Sequence, residues 1–304
     1  MHYVVAGATS GTGHAVIQRL ICKVGLDHIT CIVRPTSQTA LLMELGLRLH
    51  TADITQPESY KGILGPSVVY LDMTHPKHYH KSLEAVVSSG IERAYFVTTT
   101  GIFSKYRRLA ESYIENENRI RKSKIVYTIL RPSMIYGTIS DKNMHRLILF
   151  LDRFPFFPIF GGGKSLMQPV HVGDLSKGIV EAIDDPNTEY QEYNLAGPNA
   201  ISYREIVNTI IQKLHRKVRI INVNEAFAYQ TVRALQWIPG FPINDEQILR
   251  LREDKIFDIS KSINELGFSP RSFDAGIFEE IQEMRFCGMV TPKLSSKITD
   301  GLFK

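Results

Sequence analysis

Short apolar runs alternate with stretches of helical periodicity through the first 137 residues. The apolar runs predict β-strands over residues 3–6, 29–33, 48–52, 68–73, 94–98 and 126–130. Between them, the periodicity predicts helices over residues 15–24, 37–45, 76–90 and 106–122. Repeated β-α-β units with apolar strands form parallel sheets that are covered on both faces. We therefore expect an α/β fold with a doubly wound parallel sheet of about seven strands, built on residues 1–137.

From about residue 138 the pattern becomes less regular, and it predicts a smaller, discontinuous C-terminal lobe over 138–304 that partly returns to the main sheet. Helices are predicted over 143–151, 203–214 and 273–286, and strands over 170–172, 193–195 and 218–223. Asp174 is predicted to cap a further helix that runs to Ile183. The aromatic, proline-rich stretch 154–160 is interpreted as core or lid.

The composition indicates an ordinary folded protein. The chain has 304 residues, of which 43% are hydrophobic and 22% charged, and a net charge of +5. Its basic residues are scattered, so we expect no nucleic-acid partner. The apolar stretch 147–160 is too short and too interrupted for a transmembrane segment, and a strand at residue 3 leaves no room for a secretory signal. Three cysteines without metal spacing favour the cytoplasm, and a homo-oligomer is left open.

The loop after the first strand carries three glycines, Gly7, Gly11 and Gly13, directly before the first helix. Gly7 permits a sharp turn, Gly11 lets the backbone approach a pyrophosphate, and Gly13 permits close packing of helix on strand. This context predicts a dinucleotide-binding Rossmann fold that holds the phosphates at the helix N-terminus. The hydroxyls expected to contribute hydrogen bonds in this loop are those of Thr9, Ser10 and Thr12.

Two later residues, Arg34 and Asp53, affect which dinucleotide the protein is expected to bind. The second strand ends in Arg34, with Ser37 nearby, where an acidic residue would hold the ribose hydroxyls of NAD. An arginine accommodates a 2′-phosphate, which predicts NADP as the preferred cofactor and leaves NAD as the alternative. Asp53, after the third strand, is able to accept from an adenine amino group or to cap the next turn, and both interpretations stay open.

Four later segments match one known superfamily: 98–103 (TTTGIF), 127–137 (YTILRPSMIYG), 168–175 (QPVHVGDL) and 193–198 (YNLAGP). Together with the glycine loop and Asp53, they resemble a short-chain dehydrogenase/reductase of the extended or atypical branch, the NAD-dependent epimerase/dehydratase and nucleoside-diphosphate-sugar epimerase group. The resemblance covers about residues 3–215. It implies a Rossmann-bound cofactor, and it adds four residues to the expected cofactor contacts: Ile54, Met73, Thr98 and Pro132.

In active members of this superfamily, a Ser or Thr after the fifth strand acts with a Tyr and a Lys four residues later. The resemblance places Thr99 at the hydroxyl position, but no Tyr-Lys pair with this spacing follows it. The usual place of the lysine is held by Tyr113 and that of the tyrosine by Leu109. Tyr113 is therefore the remaining candidate for proton transfer, with Thr99 opposite it. Cations at the start of the same helix are available from Lys105, Arg107 and Arg108.

Two functions are consistent with these residues. The first is an NADP-dependent oxidoreductase, epimerase or dehydratase that acts on a sugar nucleotide or a similar carbonyl or alcohol substrate. The second is a catalytically degenerate NADP(H)-binding sensor or structural protein, which the missing Tyr-Lys pair favours. No metal is expected, because the group His75, His78 and His80 lacks acidic or cysteine partners. The turn 161–164 is interpreted either as a phosphate cradle or as a plain turn.

Overall fold

The computed structural model describes residues 1–139, 141, 143–224, 249–250 and 252–290. Its strands are β1 (His2–Ala6), β2 (Ile29–Val33), β3 (Arg48–Thr51), β4 (Val68–Asp72), β5 (Arg93–Val97), β6 (Val126–Pro132), β7 (Ile135–Tyr136), β8 (Phe156–Phe160), β9 (Leu166–Met167), β10 (Val170–His171), β11 (Gln191–Leu195), β12 (Ile201–Ser202) and β13 (Arg219–Val223). Its α-helices are α1 (Gly11–Val24), α2 (Ala40–Glu44), α3 (Tyr79–Ser88), α4 (Ala110–Lys122), α5 (Met144–Arg153), α6 (Val172–Ala182), α7 (Tyr203–Leu214), α8 (Ser260–Leu266) and α9 (Phe273–Phe286).

Seven strands form the main sheet in the order β11-β6-β5-β4-β1-β2-β3, and all neighbours are parallel. The predicted doubly wound sheet is confirmed. Six of its strands come from the first 137 residues, and β11 joins the edge beside β6 from the second half of the chain. The strand order reverses between β1 and β4, which is the topological switch point where such folds bind their ligands.

Successive strand residues face opposite sides of the sheet, and each side has its own apolar core. Val5 packs on one side with helices α1 and α6, which contact each other there. Val4 packs on the other side with residues of α3 and α4, including Leu83 and Ile120. Because both faces are covered, nearly every residue of β4, β5 and β6 is buried.

A third apolar cluster lies in the second half of the chain, where α5, α7 and α9 pack together around residues such as Ile148, Ile210 and Ile281. The aromatic stretch interpreted as core or lid includes a strand, because β8 pairs in parallel with β13. None of the helices in the described part of the chain has the length and hydropathy that a bilayer span requires.

The cap predicted for α6 is wrong. The helix begins at Val172, and its N-cap is His171, whose Nδ1 accepts from the Gly173 N–H at 3.2 Å. The Asp174 carboxylate instead accepts three hydrogen bonds of 2.8–2.9 Å from the backbone and guanidinium of Arg271. Asp174 therefore ties the segment before α9 to the sheet-packed helix α6, a contact between residues 97 positions apart.

Candidate functional site

The glycine loop is held against the end of the neighbouring strand β4. Gly7 has φ +89°, and a Cβ added there would lie 2.7 Å from the carbonyl carbon of Met73. The Met73 N–H donates to the Ala6 carbonyl at 2.9 Å, so the loop and the residue after β4 are joined. A Cβ on Gly13 would lie 2.2 Å from the Gly7 carbonyl oxygen. Larger residues at Gly7 or Gly13 would therefore displace backbone that forms the loop.

The first turn of α1 presents its N–H groups toward a cavity. Ser10 is the N-cap, and its Oγ accepts from the Gly13 N–H at 2.9 Å. The N–H groups of the two helical residues before Gly13 have no acceptor within the helix, and the helix dipole adds positive potential there. Ser10, Gly11 and Thr12 all line the cavity, and Thr9 is partly exposed in the same loop. These features fit a dinucleotide pyrophosphate.

The cavity has a volume of about 880 Å³ and lies at the carboxyl ends of the strands. It runs from the glycine loop past the turn that follows β5 to the segment 253–258. Its apolar wall is formed by Phe103, Met134, Ile135, Met167, Ile256 and Phe257. The Phe103 and Phe257 rings are neighbours, with centroids 6.0 Å apart and a tilt of 35° between their planes. A volume of this size falls within the range of small-molecule and cofactor sites.

The residues predicted to select the dinucleotide lie at the ends of β2 and β3. Arg34 is exposed, and its backbone is fixed by a turn in which its N–H donates to Ser37 Oγ at 3.2 Å. The Asp53 carboxylate accepts from the Thr55 N–H at 2.9 Å and from the Thr55 hydroxyl at 2.8 Å. These bonds lower the pKa of Asp53, and they are those of a carboxylate that caps a turn. Ile54 is buried in the core beside it.

Thr99 lies on the cavity wall at the end of β5. Its Oγ1 accepts from the Gly101 N–H at 3.0 Å, which leaves its own hydroxyl proton able to donate to a bound molecule. Pro132, at the end of β6, is buried, and its carbonyl accepts from Thr100 Oγ1 at 3.2 Å. The turn after β5 is therefore anchored to the neighbouring strand.

Tyr113 is buried, with only 1% of its surface exposed, and it is not part of the cavity wall. Its Oη lies 3.3 Å from His75 Nε2 and accepts from Arg107 Nη2 at 3.2 Å. The Arg107 guanidinium covers the Tyr113 ring at 4.9 Å and also lines the cavity. Thr99 and Tyr113 are thus not brought together at the cavity surface. Arg107 is the cation that faces the cavity at this position.

A buried ion-pair network stands behind the same wall. Thr98 donates to Glu117 Oε1 at 2.8 Å, so its hydroxyl points to this network and not to the cavity. Arg131 binds both oxygens of Glu117, which in turn accepts from Arg121 at 2.9 Å. Partial burial raises the pKa of Glu192, but hydrogen bonds from Arg121 and Arg131 outweigh it and hold that pKa at about 2. The network joins α4, β6 and β11.

His75, one of the three histidines considered as metal ligands, contributes to the structure instead. His75 contacts Tyr113, and its Nδ1 accepts from the Lys77 N–H at 3.3 Å. This bond assigns the ring hydrogen to Nε2, which faces Tyr113. Across the described residues, no three His, Cys, Asp or Glu side chains are grouped as metal ligands would be.

Comparison with known proteins identifies the cofactor class. Residues 7–150 match the model of a family described as NAD(P)H-binding. The matched segment is just under half of the chain, and it resembles this NAD(P)H-binding family. It contains the glycine loop, Arg34, Thr99 and Arg107, and the match supports NAD(P)H as the cofactor class of the chain.

Relatives of this NAD(P)H-binding chain differ in length. Quinone oxidoreductase 2 of Escherichia coli (strain K12) is 22% identical over 271 residues, covering 86% of this chain and 92% of that protein. NADH dehydrogenase [ubiquinone] 1 alpha subcomplex subunit 9, mitochondrial, of Arabidopsis thaliana is 26% identical over 186 residues, or 59% of this chain. That match spans 46% of the plant protein, about half its length.

A solved structure similar to the whole fold is that of the Citrobacter sp. triphenylmethane reductase complexed with NADP(H). It has a TM-score of 0.72 and 18% sequence identity, and the match covers 93% of this chain and 99% of that one. This likeness confirms the fold of the NAD(P)H-binding chain, including the parts of the second half that the family model does not reach.

Proposed function

We propose that the protein is an NAD(P)H-dependent reductase whose acceptor is a planar, conjugated molecule of the quinone class. The observation that carries the proposal is a cavity lined both by the N-terminus of α1 and by two neighbouring rings, Phe103 and Phe257. Aromatic walls favour flat aromatic ligands, which stack in offset or tilted geometries. The relationship to quinone oxidoreductase 2 supports the same class of acceptor.

The missing Tyr-Lys pair also favours such an acceptor. NAD(P)H supplies a hydride when it is bound. Reduction of an aliphatic ketone leaves an alkoxide, which requires a well-placed acid. Reduction of a quinone leaves a phenolate-like anion, and phenols such as tyrosine have a pKa of about 10. The protein therefore needs less acid assistance for a quinone than for a sugar-derived carbonyl.

Two side chains on the cavity wall are suited to stabilise the developing oxyanion. The Thr99 hydroxyl is able to donate, because its oxygen is already engaged by the Gly101 N–H. The Arg107 guanidinium provides positive charge at the same wall, where preorganised donors act without the cost of reorganising water. Tyr113, beneath Arg107, supports the position of the guanidinium.

A second candidate is the cofactor-holding sensor, favoured by the burial of Tyr113. A sugar-nucleotide epimerase or dehydratase is favoured less, because this chemistry needs an exposed acid-base tyrosine and Tyr113 has 1% of its surface exposed. The three functions differ in one measurable property, the acceptor to which hydride is transferred.

The test is oxidation of NADPH and NADH against benzoquinones, naphthoquinones, a UDP-4-keto-hexose and simple ketones. We expect turnover with quinones only. Thr99→Val and Arg107→Met are each expected to lower kcat by at least about 100-fold, as for loss of one oxyanion donor. The matched control is Lys105→Met, an exposed cation two residues from Arg107 that is not on the described cavity wall. Faster turnover with the UDP-4-keto-hexose, or no turnover with any acceptor, would refute the proposal.

A further inference from the structure

Helix α9 carries a carboxyl group into the protein close to the cavity. Glu280 has only 1% of its surface exposed. Its Oε2 accepts from the Gly137 N–H at 2.9 Å, just beyond strand β7. The other oxygen, Oε1, is buried and accepts from no donor among the described residues. A buried oxygen with no donor is expected of a neutral carboxyl, because the protonated oxygen of such a group donates a hydrogen bond and does not need to accept one.

Asp141 is a neighbouring carboxyl that is able to accept such a proton. The Asp141 carboxyl lies within hydrogen-bond reach of Glu280 and lines the cavity. It also accepts from the Asn143 N–H at 2.7 Å and from the His145 N–H at 3.3 Å, at the start of α5. These donors and the helix dipole stabilise negative charge on Asp141. Two adjacent carboxyls do not both ionise readily, so the shared proton resides on Glu280.

Other titratable groups nearby reinforce this assignment. Burial and then the negative charge of Asp141 raise the pKa of Glu280 to about 9, and Glu283 on the same helix adds a smaller repulsion. Tyr136, on β7, is buried, and its hydroxyl has no hydrogen-bond partner among the described residues. Burial raises the pKa of this hydroxyl well above the ordinary value of a tyrosine. Tyr136 is therefore a poorer proton donor than Glu280 at neutral pH.

We propose that Glu280 and Asp141 form the proton source of the reduction, with Asp141 as the group that faces the acceptor. This rests on the proposed function. Hydride transfer gives the acceptor two electrons and leaves it as an anion. Glu280 passes its proton to the Asp141 carboxylate, and Asp141 delivers a proton to the anion, so Asp141 ends the step as the carboxylate that it was at the start. One O–H bond forms on the product and one breaks on Glu280, which is then reprotonated from water. A carboxyl with a pKa of about 9 is well matched to a phenolate product.

The first experiment detects the protonated carboxyl of Glu280 directly, in the absence of any catalytic turnover. Infrared spectra of the full-length protein, recorded between pH 6 and pH 10, should show the carbonyl band of a protonated carboxylic acid that disappears near pH 9. Glu280→Gln should remove this band, and the matched control Glu283→Gln, an exposed carboxyl on the same helix, should retain it. A spectrum without the band at pH 7 would overturn the proposal and leave the proposed function standing.

The second experiment measures how the proton is used. With a quinone acceptor, wild-type kcat should fall above pH 9, and Glu283→Gln should share this profile. Glu280→Gln and Asp141→Asn should lower kcat at pH 7 by about 100-fold, within the range of general acid catalysis, and should lose the alkaline decline. Unchanged profiles in both variants would overturn the catalytic use of the pair. If the wild type reduces no acceptor, the catalytic use and the proposed function both fail, while the infrared band remains a separate result.

Discussion

Removal of the Arg34 guanidinium tests cofactor selection directly. Arg34 follows β2 at the carboxyl edge of the sheet, and it is exposed beyond the glycine loop. In the expected complex it pairs with the 2′-phosphate, the only group that distinguishes NADPH from NADH. Arg34→Ala should therefore weaken NADPH binding and leave NADH binding nearly unchanged.

The magnitude follows from the type of contact. Hydrogen bonds that involve charged groups contribute about 1.5–3 kcal/mol, and the exposed position of Arg34 argues for the lower end. A loss of about 1.4 kcal/mol corresponds to about a tenfold rise in Kd. Because Asp53 lies close enough for the Arg34 charge to lower its pKa, part of the positive potential is already offset. We therefore expect the NADPH preference to fall by about tenfold and not by 100-fold.

The assay is calorimetric titration of wild type and Arg34→Ala with both cofactors, which forms a thermodynamic cycle around the 2′-phosphate. The matched control is Arg48→Ala, which removes an exposed arginine beside Thr30, at the opposite end of β2. The NADPH preference of the wild type should also decline as salt is raised, because exposed charges are screened. An identical preference in wild type and Arg34→Ala would show that the arginine only faces solvent.

Gly11→Val should abolish binding of both cofactors without lowering the melting temperature, because its side chain would occupy the place of the pyrophosphate; normal titration with either cofactor would contradict this. Glu117→Ala should lower the free energy of unfolding by about 3 kcal/mol in urea titrations, because it leaves the buried Arg131 without its main partner. The control Glu115→Ala, which breaks an exposed ion pair with Arg119, should change this free energy by less than about 1 kcal/mol. The pKa of Glu280 is raised from 4.5 to about 9, so between these pH values the carboxyl is protonated in the folded state and ionised in the unfolded state. The free energy of unfolding of the wild type should therefore fall from pH 5 to pH 9 relative to that of Glu280→Gln. Parallel curves for these two proteins would show that Glu280 is already charged at neutral pH.

The main sheet was predictable because its signals are local. Apolar runs bounded by glycine and proline identify the strands, and β-α-β alternation implies parallel pairing. The short strands β7, β9 and β12 were harder to predict, because a two-residue pairing depends on which distant segment lies beside it. The N-cap of α6 illustrates the same limit. Asp174 is a good capping residue by type, but its partner Arg271 lies 97 positions away and cannot be inferred from local pattern.

In the candidate site too, some residues could be located from local sequence and others could not. The glycine loop and Thr99 each come directly after an apolar strand, and the carboxyl ends of parallel strands meet at one edge of the sheet. Their positions on the cavity wall could therefore be expected from the sequence. Thr98 directly precedes Thr99, but its hydroxyl donates to the buried Glu117 and not to the cavity. The pairing of Asp141 with Glu280 had no local signal, because it depends on the packing of α9 beside the loop after β7.

Helix α4 shows why the chemistry has to be sought on another wall of the cavity. In the superfamily that this chain resembles, this helix supplies the tyrosine and lysine. Here those two places hold Leu109, which is exposed, and Tyr113, which is buried under Arg107. One turn farther, Glu117 faces Arg131 and serves the stability of the sheet. Because α4 is engaged in these structural contacts, the proton source that we propose is contributed by α9, beyond the segment that matches the NAD(P)H-binding family. In this proposal the hydride site lies in the first half of the chain, and the proton comes from Glu280 in the second half.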